Sequence, residues 1–567
     1  MMSGRGIAGC TLLLITCLVS GGAAEDSPDP APTSCQIPIV ETRSGPICGR
    51  LESGGPPGGA RNEVHGYLGL PYAAPPIGNR RWAPPAEPQA WEKIRDATAF
   101  GAICPQAIPA GVVVETDEDC LFLNVWVPER DDDRLLPVMV FLHGGTFVAG
   151  AGSLPLYRGT NLAAAGPVVV VTLNYRLGAL GFLAGADSFE GNYGILDQQQ
   201  ALRWVRDNIA AFGGDPARVT LFGQSAGAMS VGIHLAAASS QALFAAAILE
   251  SNPWAIAYKT PEQARGYAIA LGRALDCAPP RRLEQCLRTR SADEIVAAQG
   301  NTPQLELLLL GLRAFVPWGP VVGRAPMDRQ PNHQSIDKPA ILGTNADEGT
   351  LFVAEQAGPG GTIGELRYIA ETDAAYGSNG STVRSFYDQM DQEPPTQSLG
   401  RIITDDLFVC ATREMLGRAS VPVWGYQFTH APSFPIWPRV PACSPALGRV
   451  CHAAELPFVF GNPVSPALGA TPASFDAEEE RLATSVMRLW TGFATNQRPP
   501  GTDPQWVRFS VEAPLRLRID EPLGARMDLE ARCRYWDALG YDRTGPLGAL
   551  LDGDPGTQVP RKVPPAS

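Results

Sequence analysis

Arg218-Val-Thr-Leu-Phe-Gly-Gln-Ser-Ala-Gly-Ala-Met-Ser-Val-Gly-Ile-His234 is the stretch on which the reading of this chain turns. Val219 to Phe222 is a short apolar run with β-branched residues, and a helical pattern follows Ser225, so the serine falls in a strand-to-helix turn. A serine forced into so tight a turn crowds its neighbours. Gly223 and Gly227 leave room for the adjacent strand and helix. The Ser225 hydroxyl is thereby held out of the loop at a helix N-terminus, where developing negative charge is favoured. This is the setting of a nucleophile; the plainer alternative is a serine that caps the helix.

Working outward, further strand-like runs recur at Pro137 to Leu142, Val168 to Leu173, Ala246 to Leu249, Ala340 to Gly343 and Val423 to Phe428. Helical patterns lie between them. In Gly194 to Phe212 the residues Leu196, Leu202, Trp204, Val205, Ile209 and Phe212 share roughly one face, with Arg203, Arg206 and Asp207 off it. Apolar runs separated by helices predict an α/β fold with a central, mostly parallel sheet covered by helices on both faces. Ligands in such folds bind beyond the carboxyl ends of the strands, so the loops there are where chemistry is sought.

Composition narrows the function. The 567 residues are 45% hydrophobic and 18% charged, which is globular. A formal net charge of −13 repels phosphate backbones, which excludes a nucleic-acid partner. Only four of the 45 cations are Lys (Lys93, Lys259, Lys338, Lys562), and none lies near the motifs, so Schiff-base and P-loop chemistry are disfavoured. Residues 1–24 carry Arg5, the apolar run Thr11 to Val19 and small residues ending at Ala24, the pattern of a cleavable export leader. That run is far shorter than the ~20 residues a membrane span needs, and no later stretch is apolar enough, so no transmembrane anchor is expected. Residues 25–551 are then one domain and 552–567 a tail, and the mature protein is secreted or periplasmic. Ten cysteines remain after the leader, an even number that in an exported chain implies disulfides. Sequence order suggests Cys104 with Cys120, Cys277 with Cys286, Cys35 with Cys48 and Cys443 with Cys451, leaving Cys410 with Cys533. No C-x-x-C occurs and histidines do not cluster with cysteines, so no metal site is indicated.

After the run ending at Leu142 the chain reads His143-Gly-Gly-Thr-Phe147, a glycine-rich loop whose N–H groups can face an incoming carbonyl. Gly145, Thr146 and Ala226 are the candidate oxyanion donors. Six histidines are candidates for a base. His234 lies nine helical residues past Ser225, about 13 Å along the axis, and cannot reach it. His143 belongs to the glycine loop, His65 precedes the sheet, out of the expected Ser, acid, His order, and His333 sits in a polar loop before the acid-bearing run. His430 and His452 remain. For the acid, Ile341-Leu-Gly-Thr-Asn-Ala-Asp-Glu-Gly349 offers Asp347 and Glu348, and spacing does not choose between them.

Phe212-Gly-Gly-Asp-Pro-Ala-Arg-Val-Thr-Leu-Phe-Gly-Gln-Ser-Ala-Gly227 and Glu118-Asp-Cys-Leu-Phe-Leu-Asn-Val-Trp-Val-Pro128 resemble the two signatures of the type-B carboxylesterase family, the cholinesterase-like branch of the α/β-hydrolase fold. The resemblance covers essentially the whole mature chain. It implies an α/β-hydrolase fold with Ser225 as nucleophile. Its acid falls on Glu348, and His-x-x-Glu-Leu-Pro-Phe-Val-Phe-Gly puts its base on His452. It also implies the bridges Cys104–Cys120, Cys277–Cys286 and Cys410–Cys533, with Cys35–Cys48 and Cys443–Cys451 as additions.

The resemblance implies acyl transfer from small-molecule esters, which needs no metal and no cofactor. Departures narrow the substrate. Gln224 stands where cholinesterases carry Glu, and the Cys104 to Cys120 loop has no Trp to stack a quaternary ammonium, which disfavours choline esters. Thr146 replaces a Gly or Ala common in the family and narrows access for bulky alcohols. Ala314 and Val316 fall where cholinesterases place acyl-pocket aromatics, while Trp254 and Phe352 keep an aromatic wall, implying a roomy pocket for small to medium apolar esters; the alternative for all four is core packing. Two other functions fit the family. One is a lipase or sterol esterase with Ile108, Val112, Val113 and Val114 as a lid; the other is a non-catalytic adhesion module, which the presence of Ser225, Glu348 and His452 disfavours.

Overall fold

The computed structural model describes residues 35, 37–185, 189–277, 283–300, 316–358, 361–501, 505–526 and 530–541. The expected leader, the tail and Ala314 lie outside them. Strands in the first quarter of the chain are β1 (Val40–Thr42), β2 (Gly45–Cys48), β3 (Arg50–Gly54), β4 (Asn62–Pro71), β5 (Arg95–Asp96) and β6 (Phe122–Pro128). Next come β7 (Leu136–Leu142), β8 (Val169–Leu173), β9 (Gly214–Gln224), β10 (Ala246–Glu250) and β11 (Ala340–Asn345). The last are β12 (Val423–Phe428), β13 (Arg516–Ile519) and β14 (Gly524–Arg526).

Strands β1, β2 and β5 form a small separate sheet, and the other eleven form one sheet in the order β14-β13-β12-β11-β10-β9-β7-β8-β6-β4-β3. Pairing is parallel from β8 through β7, β9, β10, β11 and β12 to β13, and antiparallel at the margins. The central strands are buried on both faces, as an apolar run such as Val169-Val-Val-Thr-Leu173 requires. Side chains alternate between two cores: Val138, Val140 and Leu142 of β7 enter one, Met139 and Phe141 the other. The first core takes Tyr193–Asn208 and Ala226–Ala236 as covering helices, and the second takes Ala477–Asn496. That last helix starts at a capping box in which the Asp476 carboxylate accepts from the N–H groups of Glu478 and Glu479.

The expected central strands are present: β7, β9, β10 and β11 run longer than the apolar runs suggested, β12 has the expected bounds and β8 begins one residue later. Strand β9 reaches Gln224 because its ladder with β10 continues to the pair Glu250 and Gln224, at the threshold of the turn. Five disulfides close Cys35–Cys48, Cys104–Cys120, Cys277–Cys286, Cys410–Cys533 and Cys443–Cys451. Among the described residues no helix is long and apolar enough to cross a membrane.

His430, just past β12, ties three elements together: Nδ1 lies 3.4 Å from Asp520 beyond β13, and Nε2 lies 3.6 Å from Glu479 in the helix Ala477–Asn496. Burial works against its charge, but the hydrogen bond to Asp520 and the charges of Asp520 and Glu479 outweigh burial and push the imidazole up to about 9. A pKa raised by folding stabilises fully below the unfolded value near 6.5 and is lost as pH rises through about 9. Substituting His430→Gln is therefore expected to lower the urea midpoint at pH 6, with the gap to wild type closing above pH 9; a gap constant across that range contradicts the assignment.

Candidate active site

The site is built at the carboxyl ends of β7, β9, β10 and β11, and its centre is a strained turn. Ser225 has φ 58° and ψ −123°, a conformation that costs a non-glycine residue on the order of 1–3 kcal/mol. Backbone bonds on both sides hold it: its N–H donates to the Glu250 carbonyl (2.9 Å) and its carbonyl accepts from Met229 (2.8 Å). The flanking glycines are needed for space. A Cβ on Gly227 would stand 1.9 Å from the Leu142 carbonyl oxygen, and one on Gly223 would stand 2.7 Å from Gly227 itself.

The glycine loop lies against this turn, since a Cβ on Gly144 would come within 3.1 Å of Ser225 Cβ. Gly145, Thr146 and Phe147 all have positive φ (106°, 51° and 60°). Among the described residues, the N–H groups of Gly145, Thr146 and Ala226 donate to no protein acceptor. His143 secures the loop from beneath. Its ring stacks on Tyr175 at 4.4 Å, its Nδ1 donates to the Gly144 carbonyl (2.8 Å), and burial pushes its pKa down to about 4, so it is neutral.

The two carboxylates left open by sequence separate by role. Glu348, buried at the start of Glu348–Ala357, has Oε2 2.5 Å from His452 Nδ1, while Oε1 accepts from Ser251 Oγ (2.5 Å) and from the Asn345 N–H (2.6 Å). Asp347 instead accepts from the Val450 N–H (3.0 Å), its own N–H donates to the Val450 carbonyl (3.0 Å), and it faces Arg401 and Arg449. It clamps the segment that delivers His452. Cys451, next to the histidine, is bridged to Cys443, and the His452 carbonyl accepts from Trp437 Nε1 (2.7 Å). Phe352 and Phe408, stacked on each other at 5.9 Å, pack together against the imidazole at 5.0 and 5.4 Å. His234 is a satisfied core residue, bonded to Ser240 and Gln198, and His430 is the structural tie described above.

One expected contact is replaced. His452 Nε2 meets the Gln224 side-chain nitrogen at 3.0 Å, and the Ser225 hydroxyl makes no hydrogen bond among the described residues. With the Nδ1 proton directed at Glu348, the Nε2 lone pair accepts from the amide N–H, which fixes the tautomer that a general base needs. Of the expected pocket residues, Trp254 packs on the helix Ala226–Ala236 against Gly232, Phe352 on the imidazole, and Val316 in the first core beside Gly319. The Cys104 to Cys120 loop is anchored: Ile108 and Val114 pack on the second core and Val112 abuts Gly469, leaving Val113 fully exposed. Ser251, Asn345 and Glu455 were missed by sequence reasoning; the signal available was Glu250-Ser-Asn-Pro253 directly after a strand, and the glutamate three residues beyond His452.

The Carboxylesterase family model matches residues 36–536. The chain belongs to that family. It is 34% identical over 516 residues to the para-nitrobenzyl esterase of Bacillus subtilis (strain 168), covering 88% of this chain and 97% of the relative. It is 33% identical to the acetylcholinesterase of Bungarus fasciatus (84% of this chain, 82% of the relative) and 32% identical to neuroligin-3 of Mus musculus (84% and 64%). A solved structure of PNB esterase aligns with a TM-score of 0.72 at 33% identity, covering 88% of this chain and 99% of that one. The α/β-hydrolase fold and the family are thus shared with esterases, which supports a carboxylic-ester hydrolase.

The packing of Gly227 makes a direct prediction. Gly227→Ala forces a Cβ into the Leu142 and His143 carbonyls, where only backbone can yield, and is expected to cost about 1–3 kcal/mol or more. Urea unfolding checks it through a lowered midpoint at unchanged slope, whereas a wild-type midpoint refutes it.

Proposed function

We propose that the protein is an exported serine carboxylic-ester hydrolase working through an acyl-enzyme on small to medium apolar esters. The observation that carries the reading is the convergence of a strained serine, unengaged N–H groups beside it, and an imidazole whose Nδ1 is held by a buried carboxylate at 2.5 Å. In this reading the ester displaces the Gln224 amide from His452 Nε2, and the Ser225 hydroxyl takes its place; catalytic hydrogen bonds commonly tighten only with substrate bound. His452 accepts the Ser225 proton as the oxygen attacks the ester carbonyl. The carbonyl oxygen becomes an oxyanion facing the N–H groups of Gly145, Thr146 and Ala226, each worth on the order of 10²–10³ in rate. His452 then protonates the departing alcohol, and water repeats the sequence on the acyl-serine. Glu348 holds the tautomer and stabilises the imidazolium.

Export is supported by the leader-like N-terminus and the five disulfides. Selectivity against choline esters rests on a neutral Gln224 beside the base and a Cys104 to Cys120 loop without tryptophan. The lid reading finds little support, because three of its four apolar residues are packed.

Ser225→Ala is expected to lower turnover of a p-nitrophenyl ester by roughly 10⁶ and to abolish covalent labelling by a fluorophosphonate. Retention of wild-type turnover by that variant refutes the mechanism. Across a panel of esters, a choline ester is expected to gain nothing over its uncharged 3,3-dimethylbutyl isostere; a tenfold or larger preference for the cation overturns the substrate assignment.

A further inference from the structure

Behind the base lies a second group of buried acids that the mechanism does not use. Glu455 follows His452 by three residues, and its Oε2 accepts from Asn345 Nδ2 at 2.6 Å. The same Asn345 nitrogen donates to Ser251 Oγ (3.2 Å), which donates to Glu348 (2.5 Å), so a continuous hydrogen-bond path joins Glu455 to the carboxylate that holds the imidazole. Glu250, at the end of β10, receives Trp490 Nε1 on Oε1 at 2.6 Å.

Sheet register brings these groups over one face. Glu250 pairs with Gly343 of β11, and Gly343 pairs with Tyr426 of β12. Gly343 has no side chain, and the Tyr426 ring occupies that space: a Cβ there would stand 2.1 Å from two ring carbons. The ring is thereby laid toward Glu250 and packs edge-on against Trp490 at 5.3 Å. Asn345 is two residues beyond Gly343 and so shares its face. Among the described residues, four deeply buried polar atoms in this group have no hydrogen-bond partner: Glu250 Oε2, Glu455 Oε1, Asn345 Oδ1 and the Tyr426 hydroxyl. Buried carboxylates with open lone pairs and a third carboxylate nearby cannot all carry charge.

We propose that Glu250, Glu455, Asn345 and Tyr426 form an internal proton-holding site, in which the two carboxyls do not both carry charge, and that Glu455 is a positioning residue for catalysis, acting on His452 through Asn345, Ser251 and Glu348. The proposal rests on the serine-esterase reading for its kinetic consequence alone. The groups facing Glu455 are Glu348 and His452 at the triad, Glu250 from β10, Tyr426 from β12 and Tyr157 from the turn Pro155–Tyr157. Burial, and then the charge of Glu348, push Glu455 up to about 7. Burial, and then Glu455, hold Glu250 well above the usual carboxyl range. When Glu455 ionises, its negative charge favours a protonated base.

The test is the pH profile of kcat/KM for an activated ester from about pH 5 to 9 in wild type, Glu455→Gln and Glu455→Asp. Wild type is expected to need two ionisations on its acid limb, one near 7. Glu455→Gln should show one, displaced to lower pH by roughly half a unit or more, and Glu455→Asp should restore two. A single wild-type ionisation, or a Glu455→Gln profile identical to wild type, overturns the proposal. Should Glu455→Gln fail to fold, the downfield proton resonance of His452 Nδ1–H in wild type decides: two inflections with pH support the site and one refutes it. That readout needs no substrate. Two inflections without ester turnover therefore defeat the esterase reading alone, while turnover with one inflection defeats this proposal alone.

Discussion

Everything at this site depends on one backbone constraint, the reversal at Ser225. A strand buried on both faces must become a helix within a single residue, and the only way to do so against the β7 backbone is a positive φ at the serine with no Cβ at Gly227. The strain of about 1–3 kcal/mol is offset by the neighbours that lock the turn: the N–H to Glu250, the helix bond to Met229 and the parallel ladders of β7 and β10 on either side. The turn is thus a product of the sheet. Edge position would leave it without the Glu250 carbonyl, and the serine would relax into an ordinary helix cap.

The same parallel register explains how partners distant in sequence meet. Strands β7, β9, β10 and β11 end together, so the loops after them carry the oxyanion candidates, the serine, Ser251 and Glu348 to one rim. His452 arrives on a long irregular segment, which by itself would place an imidazole poorly. It is fixed by several weak constraints at once: the paired bonds of the Asp347 N–H and carboxylate with the Val450 carbonyl and N–H, the Cys443–Cys451 bridge, the Trp437 bond to the His452 carbonyl and the stacked pair Phe352 and Phe408 against the ring. Each restrains a different freedom of the ring, leaving the imidazole plane set by Glu348.

What could be read in advance follows from how local each signal is. Ser225, the glycine loop and the central strands were legible because strand, turn and glycine spacing lie within about ten residues of one another. Asp347 and Glu348 were indistinguishable because adjacent residues differ only in which way the turn points them, and that is decided by Val450, about a hundred positions later. The antiparallel margin was invisible: β4 carries Gly66 and Gly69 and its register slips between Tyr67 and Leu70, so its alternation is broken. The Gln224 contact to His452 was hidden because it joins two residues 228 apart.

Burial alone does not decide which carboxyl keeps its charge. Glu348 and Glu455 are both fully enclosed and lie on one hydrogen-bond path, yet they are treated differently by their surroundings. Glu348 has both oxygens engaged by donors, Ser251 and a backbone N–H on one and the imidazole on the other, which is what an ionised carboxylate requires in a poorly solvating interior. Glu455 has one oxygen engaged by an amide and the other by no donor among the described residues. The interior therefore distinguishes the two acids by donor count, and the better-served one is in contact with the His452 imidazole. Asn345 does this sorting, because its backbone N–H serves Glu348 while its side chain serves Glu455 and Ser251. An aspartate at that position would add another acid to the cluster and remove the side-chain donor that Glu455 and Ser251 share, while leaving the backbone N–H on Glu348 in place.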